Sequence, residues 1–393
     1  MAQLSILQWE EGGQTHSASW HSENGIAPHK KIQIVDDTMT ADVAYRLACE
    51  GTAMFYRGDF QNARQLLQAL VRRVDKPSKK STRADRVAKE KTKIPLDTFN
   101  LHRLAQSQRA RILGMILIQV NPDHSISLRR APDVAQACSE VYGSKNDSYV
   151  ISLRELLGVI SAHEWRKNGV QVLIRDDEEV RIHPHYGVFS PVRGEYIELI
   201  LKTPLPEVIQ KSSTAFDIGV GTGVLSVVLA LRGVQKIVST DLDDRAITCA
   251  QENIDRLGLQ SQIEVLKTHL FPPGKAALII CNPPWLPARP SSSLEYSVYD
   301  PESQMLKGFL LHLKNHLLDG GEGWLILSDL AEHLGLRTRD ELLQWIEQAG
   351  LRVLGRIDTK PTHNKAFDKA DALHVARSKE ITSLWRLAAQ AKI

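Results

Sequence analysis

The chain has few cysteines, and those it has are scattered. Cys49, Cys138, Cys249 and Cys281 show no pair spacing across 393 residues, which predicts neither a disulfide framework nor a zinc site. Reduced thiols in a cytoplasmic protein are the expectation. No stretch approaches the ~20 consecutive apolar residues of a membrane span. The first thirty residues include Glu10 and Glu11 and hold no apolar signal-peptide core. Excess charge of one sign is missing as well: 49 Lys and Arg face 46 Asp and Glu, and a net charge of +3 does not by itself argue for nucleic acid. His163, His183 and His185 have no acid or cysteine nearby at ligand spacing, so no metal is expected.

What is present describes a folded protein of more than one core. Hydrophobic residues make up 42% and charged residues 24%, and the length predicts two domains. Residues 1–36 mix Gly, His, Ser and Trp without clear period and read as partly extended. From Thr38 to Val74 apolar residues recur at helical spacing with breaks at Gly51 and Gly58, which predicts a helical hairpin. The segment 71–93, "VRRVDKPSKKSTRADRVAKEKTK", has almost nothing to pack in a core. It reads as a solvated loop, or as a contact surface for an acidic partner such as RNA. Between 97 and 172 the pattern is mixed, with a strand in "RILGMILIQV" and a helix in "SLRELLGVISAHEWRKNG" closed by Gly169. "VQVLIRDDEEVRIHPHYGVFSP" reads as a hairpin leading out of this region. The domains are drawn as 1–184, mixed helix and strand and the expected target-recognition part, and 185–393.

Past that boundary strands alternate with helices. "STAFDIG", "QKIVSTDLD", "QIEVLKTHLF", "AALIICNPPW" and "EGWLILSDL" read as strands. "VLSVVLALRGV", "RAITCAQENIDRLGL", "GFLLHLKNHLLDGG" and "RDELLQWIEQAG" read as the helices around them. Right-handed crossovers then give an α/β domain with a doubly wound, mostly parallel sheet. The last two strands, near "LRVLGRID" and "DALHVARS", have no helix between them and are expected to pair as an antiparallel edge hairpin.

Ligands in such a sheet sit beyond the carboxyl ends of the strands. "DIGVGTG" lies at the first such end, where Gly219, Gly221 and Gly223 permit tight turns and a close approach of backbone to ligand. Val224 fills the third glycine position of the dinucleotide fingerprint, which disfavours NAD. Asp217 at the mouth of this loop would repel a pyrophosphate and can hold an ammonium. Asp241 ends the second strand, where an acid accepts hydrogen bonds from both ribose hydroxyls of an adenosine. Adenosine at one end and an ammonium at the other describe S-adenosylmethionine.

"NPPW" ends the fourth strand on the same face. The side-chain oxygen of Asn282 and the carbonyl of Pro283 can accept both N–H bonds of a planar NH₂ group. They would thereby hold its nitrogen for methyl transfer and favour the more tetrahedral transition state. Pro283 and Pro284 stiffen these acceptors, and Trp285 offers a face to a planar substrate group. No general base is required, because the proton can leave after the methyl has moved.

These segments together resemble the class I S-adenosylmethionine-dependent methyltransferases of the NPP-aromatic group, over residues ~185 to 378. Within that group the chain is most similar to the HemK-type protein-glutamine N-methyltransferases, which carry segments like "YGVFSPVRGEYIEL" and "YDPESQML". The resemblance implies a Rossmann-like methyltransferase fold, and cofactor or substrate roles for Asp217, Gly219, Gly221, Asp241 and Asn282. Gly223 and Leu242 join the cofactor set beside them. His269 stands where the family usually has the acid that reads the adenine amine, so adenine contact is expected from His269, Leu270 or backbone. Trp285 stands where tyrosine or phenylalanine is more usual.

The expected activity is N-methylation of a planar NH₂ on a macromolecule, a protein glutamine first, with a translation-related partner as the expectation. A ribosomal RNA base is the alternative, because RNA base methyltransferases share the motif and carry unrelated N-terminal domains. A non-catalytic RNA- or cofactor-binding protein is the reading from another class, and would have no need of the Asn282-Pro283-Pro284 geometry. Neither a membrane nor a metal is expected as partner. "TKPTHNKAFDKAD", 359–371, would bring Lys360, His363, Lys365 and Lys369 towards the substrate mouth.

Overall fold

The computed structural model describes residues 5–76, 95–175, 178–192, 194–290, 293–361 and 368–391. The chain falls into two units, one of residues 1–94 and 100–164, the other of 95–99 and 165–393. The sequence-drawn division at 184/185 lies past a short hairpin that these units place with the C-terminal residues.

In the first unit β1 (Ile6–Glu11), β2 (Gln14–Trp20), β3 (Ile32–Val35), β4 (Ala53–Tyr56), β5 (Ile116–Val120) and β6 (Tyr149–Ser152) form one mixed sheet. Its order is β1-β2-β6-β5-β4-β3. The helical hairpin expected over 38–74 is therefore corrected. Helices Ala41–Cys49 and Phe60–Val74 form, but β4 runs between them, parallel to β3 and β5. Each residue of Ala53–Tyr56 is buried, and a strand covered on both faces has no alternation to separate it from an apolar helical turn. "RILGMILIQV" is likewise split, its first three residues closing helix Pro95–Leu113 before β5 begins. Of the basic segment, 71–74 end the helix Phe60–Val74, while Lys79, Lys80, Arg83 and Arg86 lie outside the described residues.

The second unit opens with the expected hairpin, β7 (Val170–Arg175) against β8 (Glu178–Ile182). Seven strands follow: β9 (Thr214–Ile218), β10 (Lys236–Asp241), β11 (Ile263–Lys267), β12 (Ala276–Cys281), β13 (Leu317–Ser328), β14 (Leu351–Thr359) and β15 (Thr382–Ala389). Their order is β11-β10-β9-β12-β13-β15-β14. Pairing is parallel from β11 through β13 and antiparallel where β15 meets β13 and β14. The terminal antiparallel pair was legible, but two details are corrected. The final strand is "TSLWRLAA" rather than "DALHVARS", part of which forms a short helix, His374–Arg377. It also inserts between β13 and β14 instead of extending the edge. "GFLLHLKNHLLDGG" stops being helical at His316, and its paired glycines, Gly320 and Gly321, fall inside β13.

Alternate residues of the central strands feed two apolar layers, one on each sheet face. Ala215, Leu278, Ile280, Trp324 and Ile326 join one layer; Phe216, Ile218, Ile279, Cys281 and Leu325 join the other. This period-two division is what the pleat imposes on strands covered from both sides. At ~25 cal/mol per Å² of apolar area buried, these layers are the main favourable term holding the sheet in place. Helix boundaries are chemically marked: the Asp243 side chain caps Asp244–Arg256, and Thr338 with Glu341 forms a capping box on Arg339–Gln348.

Candidate cofactor and substrate site

Register brings the sequence motifs together. Thr240, Ile218 and Cys281 lie side by side on β10, β9 and β12. Asp241, Gly219 and Asn282 are each the next residue along, so all three reach the carboxyl edge of the sheet at one level. Gly219 and Val220 then turn back, both N–H groups donating to the Thr240 carbonyl at 2.9 Å. The turn needs φ values of +82° at Gly219, +52° at Gly221 and +82° at Gly223, a region that costs residues with a Cβ ~1–2 kcal/mol.

Asp241 is held by backbone. Its Oδ1 accepts from the N–H groups of Leu242 at 2.8 Å and Asp243 at 3.1 Å, and its Oδ2 from Gly221 at 3.2 Å. Burial pushes the carboxyl up against the pull of those N–H groups.

Asp217, expected at the loop mouth, is instead fully buried beneath it. Its Oδ2 accepts from the Ser226 hydroxyl at 2.5 Å, and Oδ1 has no hydrogen-bond partner among the described residues. Burial raises its pKa to about 7, with the Ser226 hydrogen bond opposing and Asp241 adding to the rise. Ser226 was not foreseen, although a lone polar residue in the apolar helix "VLSVVLAL" was the available signal. Glu195, at the start of helix Glu195–Lys202, is another buried carboxylate missed from sequence, and its Oε1 also has no hydrogen-bond partner among the described residues.

A cavity of about 360 Å³ lies over these strand ends. Gly219, Gly221 and Asp241 line one part of it, and Asn282, Pro283, Pro284 and Trp285 another. Aromatic walls come from Phe189, Tyr196, Tyr296 and Tyr299; the segments "YGVFSPVRGEYIEL" and "YDPESQML" had drawn attention to all of these but Tyr296. A Cβ added at Gly221 would meet no atom within 4 Å, so the backbone there faces open space.

The remaining foreseen residues lie off this wall. Gly223 packs against Ala250 below the loop. Leu242 is exposed just past Asp241, and His269 is exposed. Leu270 turns through a φ of +57°, and its carbonyl accepts from Thr240 Oγ1 at 2.5 Å. Lys360 and Lys369 are exposed, while His363 and Lys365 fall outside the described residues.

The Asn282 side chain already has one partner: the Trp285 indole N–H donates to its Oδ1 at 2.9 Å. Both side chains are half-buried, while Pro283 between them is buried. Among the described residues no three His, Cys, Asp or Glu side chains are grouped to hold a metal, and no helix is long and apolar enough to cross a membrane. His163 pairs with Glu140, His185 with Glu252, and His183 contacts the Arg166 carbonyl.

The donor set fits a ligand that is cationic at one end and carries a diol at the other. The unpartnered oxygen of Asp217, buried beneath the loop, would set negative charge under a cationic end, Asp241 at the cavity wall keeps acceptor capacity on Oδ2, and the open glycine backbone would admit the ligand above them.

Comparison with known proteins agrees in class. Residues 199–283 match the family model of the ribosomal protein L11 methyltransferase (PrmA). A Methanocaldococcus jannaschii protein, provisionally named a protein N5-glutamine methyltransferase, is 29% identical over 166 residues, 40% of this chain and 81% of its own length. The ribosomal protein L11 methyltransferase of Alkaliphilus metalliredigens is 36% identical over 137 residues, 31% of this chain and 43% of that relative, so the likeness spans under half of the L11 enzyme. The crystal structure of the ribosomal protein L11 methylase from Lactobacillus delbrueckii subsp. bulgaricus aligns with a TM-score of 0.33 at 18% identity, over 50% of this chain and 76% of that one. With its glycine loop, its paired acids and its seven-stranded sheet, the C-terminal unit is a class I S-adenosylmethionine-dependent methyltransferase domain.

Proposed function

We propose that this domain methylates a planar NH₂ nitrogen of a macromolecule, with a protein glutamine side chain as the foremost target. The observation that carries the reading is the register. Gly219 and Asn282 leave adjacent parallel strands together, which supports a site where the NH₂-accepting motif lies beside the cofactor loop.

S-adenosylmethionine supplies an electrophilic methyl on a sulfonium. Asp241 would accept from its ribose hydroxyls, and the glycine loop would take the amino-acid end, with Asp217 beneath supplying the compensating negative charge. Gly223 shapes that loop, and exposed Leu242 would cover the adenosine from the rim. Asn282 Oδ1 and the Pro283 carbonyl would accept the two N–H bonds of the target, leaving its lone pair directed at the methyl. Positive charge would grow on that nitrogen as it takes the methyl, and both acceptors would bind it more tightly than they bind the planar ground state. The extra proton then departs to water.

A glutamine target is supported by the named function of the archaeal relative and by the HemK-like segments. An RNA base is the second reading, favoured by the aromatic lining of the cavity, on which a base can stack. Incubating the pure protein with methyl-labelled cofactor and cell lysate separates them. Label lost to protease supports glutamine, label lost to ribonuclease supports the RNA base, and no macromolecular label at all overturns the activity.

A further inference from the structure

We infer that Trp285 is a positioning residue that acts through its indole N–H on the Asn282 carboxamide, and not chiefly as a platform for substrate. The inference rests on the methyltransferase reading above. A carboxamide can face its surroundings in two ways related by a flip, with oxygen and nitrogen exchanged. An indole nitrogen only donates, so the Asn282 atom 2.9 Å from Trp285 Nε1 must be the oxygen. The flipped form would set N–H against N–H at Trp285. It would also present a donor to the substrate amine, which is itself a donor, and such a site could not hold an NH₂ group.

The contact is built to stay. Pro283 and Pro284 separate the two residues, with φ fixed and no N–H of their own, so the four-residue segment has little freedom to reshape. The Trp285 ring packs against both apolar layers flanking the sheet. It is wedged at the end of β12 rather than free to swing. One lone pair of Oδ1 is engaged by the indole, and the other remains for the incoming N–H. A tyrosine or phenylalanine ring here has no N–H with which to make this choice.

The test is a double-substitution cycle with Trp285→Phe and Asn282→Ala, using methyl-labelled S-adenosylmethionine and cell lysate as acceptor. Trp285→Phe should lower the maximal rate about tenfold, with the apparent KM for lysate acceptor and the Kd for cofactor changed less than about twofold. In the Asn282→Ala background the same change should add nothing. Additive losses, or a loss confined to KM, would overturn the inference in favour of direct substrate contact. A second measurement needs no turnover. The indole ¹⁵N–¹H resonance of Trp285 should shift, and its proton exchange faster with solvent, in Asn282→Ala; an unchanged resonance also overturns the inference. Should Trp285→Phe fold poorly, 3-benzothienylalanine at 285 keeps the shape and removes only the N–H. It should behave as Trp285→Phe is expected to, and wild-type rates would overturn the role. If the wild-type protein transfers no label, the methyltransferase reading fails by itself, and the resonance still decides whether Trp285 fixes Asn282.

Discussion

Ile218 and Cys281 face one another across two parallel strands, so Gly219 and Asn282 leave the sheet as neighbours. That adjacency makes Asn282 a test of chemistry rather than of cofactor binding. Asn282→Ala should lower turnover roughly a hundredfold or more, because it removes an acceptor that strengthens in the transition state. The dissociation constant for S-adenosylmethionine should change far less. Near wild-type methylation by the variant would remove the motif from the mechanism.

Asp241 should govern cofactor affinity instead. Loss of a charge-assisted hydrogen bond costs ~1.5–3 kcal/mol, so Asp241→Ala should weaken binding ~10- to 150-fold in calorimetry. The three backbone N–H groups that converge on this carboxylate would also lose their acceptor, so the variant's melting temperature should be read alongside. A full-affinity variant would refute the ribose assignment.

The buried Asp217 predicts a pH dependence of definite sign. Its pKa rises from 3.8 to about 7 on folding, so between about pH 4 and 7 the folded chain keeps a proton that the unfolded chain has released. Stability contributed at this site therefore falls as pH rises through that window, by about 4 kcal/mol at most, and the loss is complete above pH 7. Asp217→Asn should raise the melting temperature at pH 8 and scarcely at pH 5. An ammonium nearby favours the ionised form, so cofactor binding should release a proton and weaken below about pH 7, and the substitution should weaken it further. Calorimetry in buffers of different ionisation enthalpy measures the proton directly; zero release between pH 6 and 7 would show that Asp217 does not feel the ligand.

Gly221 and Gly223 should fail differently. Both hold positive φ, so alanine strains either by ~1–2 kcal/mol. An added Cβ at Gly221 meets open cavity, whereas at Gly223 it lies 3.4 Å from Ala250. Gly221→Ala should therefore lose cofactor affinity out of proportion to stability, and Gly223→Ala the reverse. Titrations paired with thermal melts will show whether the two profiles cross.

The parallel half of the catalytic sheet was legible because its strands end in chemically distinctive residues. "DIGVGTG", "STDLD" and "NPPW" mark the ends of β9, β10 and β12, and the helix that follows β10 carries a side-chain cap from Asp243. What stayed hidden was set by depth and by contacts between distant positions. β4 could not be told from a helix turn because neither of its faces is polar. β15 was displaced by eleven residues because "TSLWRLAA", buried at nearly every position, shows no alternation to mark it as a strand apart from the "DALHVARS" before it. Asp217 was expected at the surface of the loop, since its burial depends on Ser226 rising from the following helix to meet it. The hydrogen bond between Trp285 and Asn282 crosses two prolines, a geometry that residue types alone do not reveal.

The insertion of β15 between β13 and β14 also sets an order of assembly. β14 leaves the ribosome complete at Thr359, yet β15, the strand it pairs with and the one that joins it to β13, is complete only at Ala389. At ~5–20 residues per second, those intervening residues take roughly 1.5 to 6 seconds to synthesise. For that interval the open edge of β13 and the unpartnered β14 form two adhesive borders on a nascent chain, which pulse proteolysis of arrested chains can detect. The half of the sheet that bears Asp217, Asp241 and Asn282 does not include β14 or β15, so the cofactor loop can take shape while the far side of the sheet is still waiting to be closed.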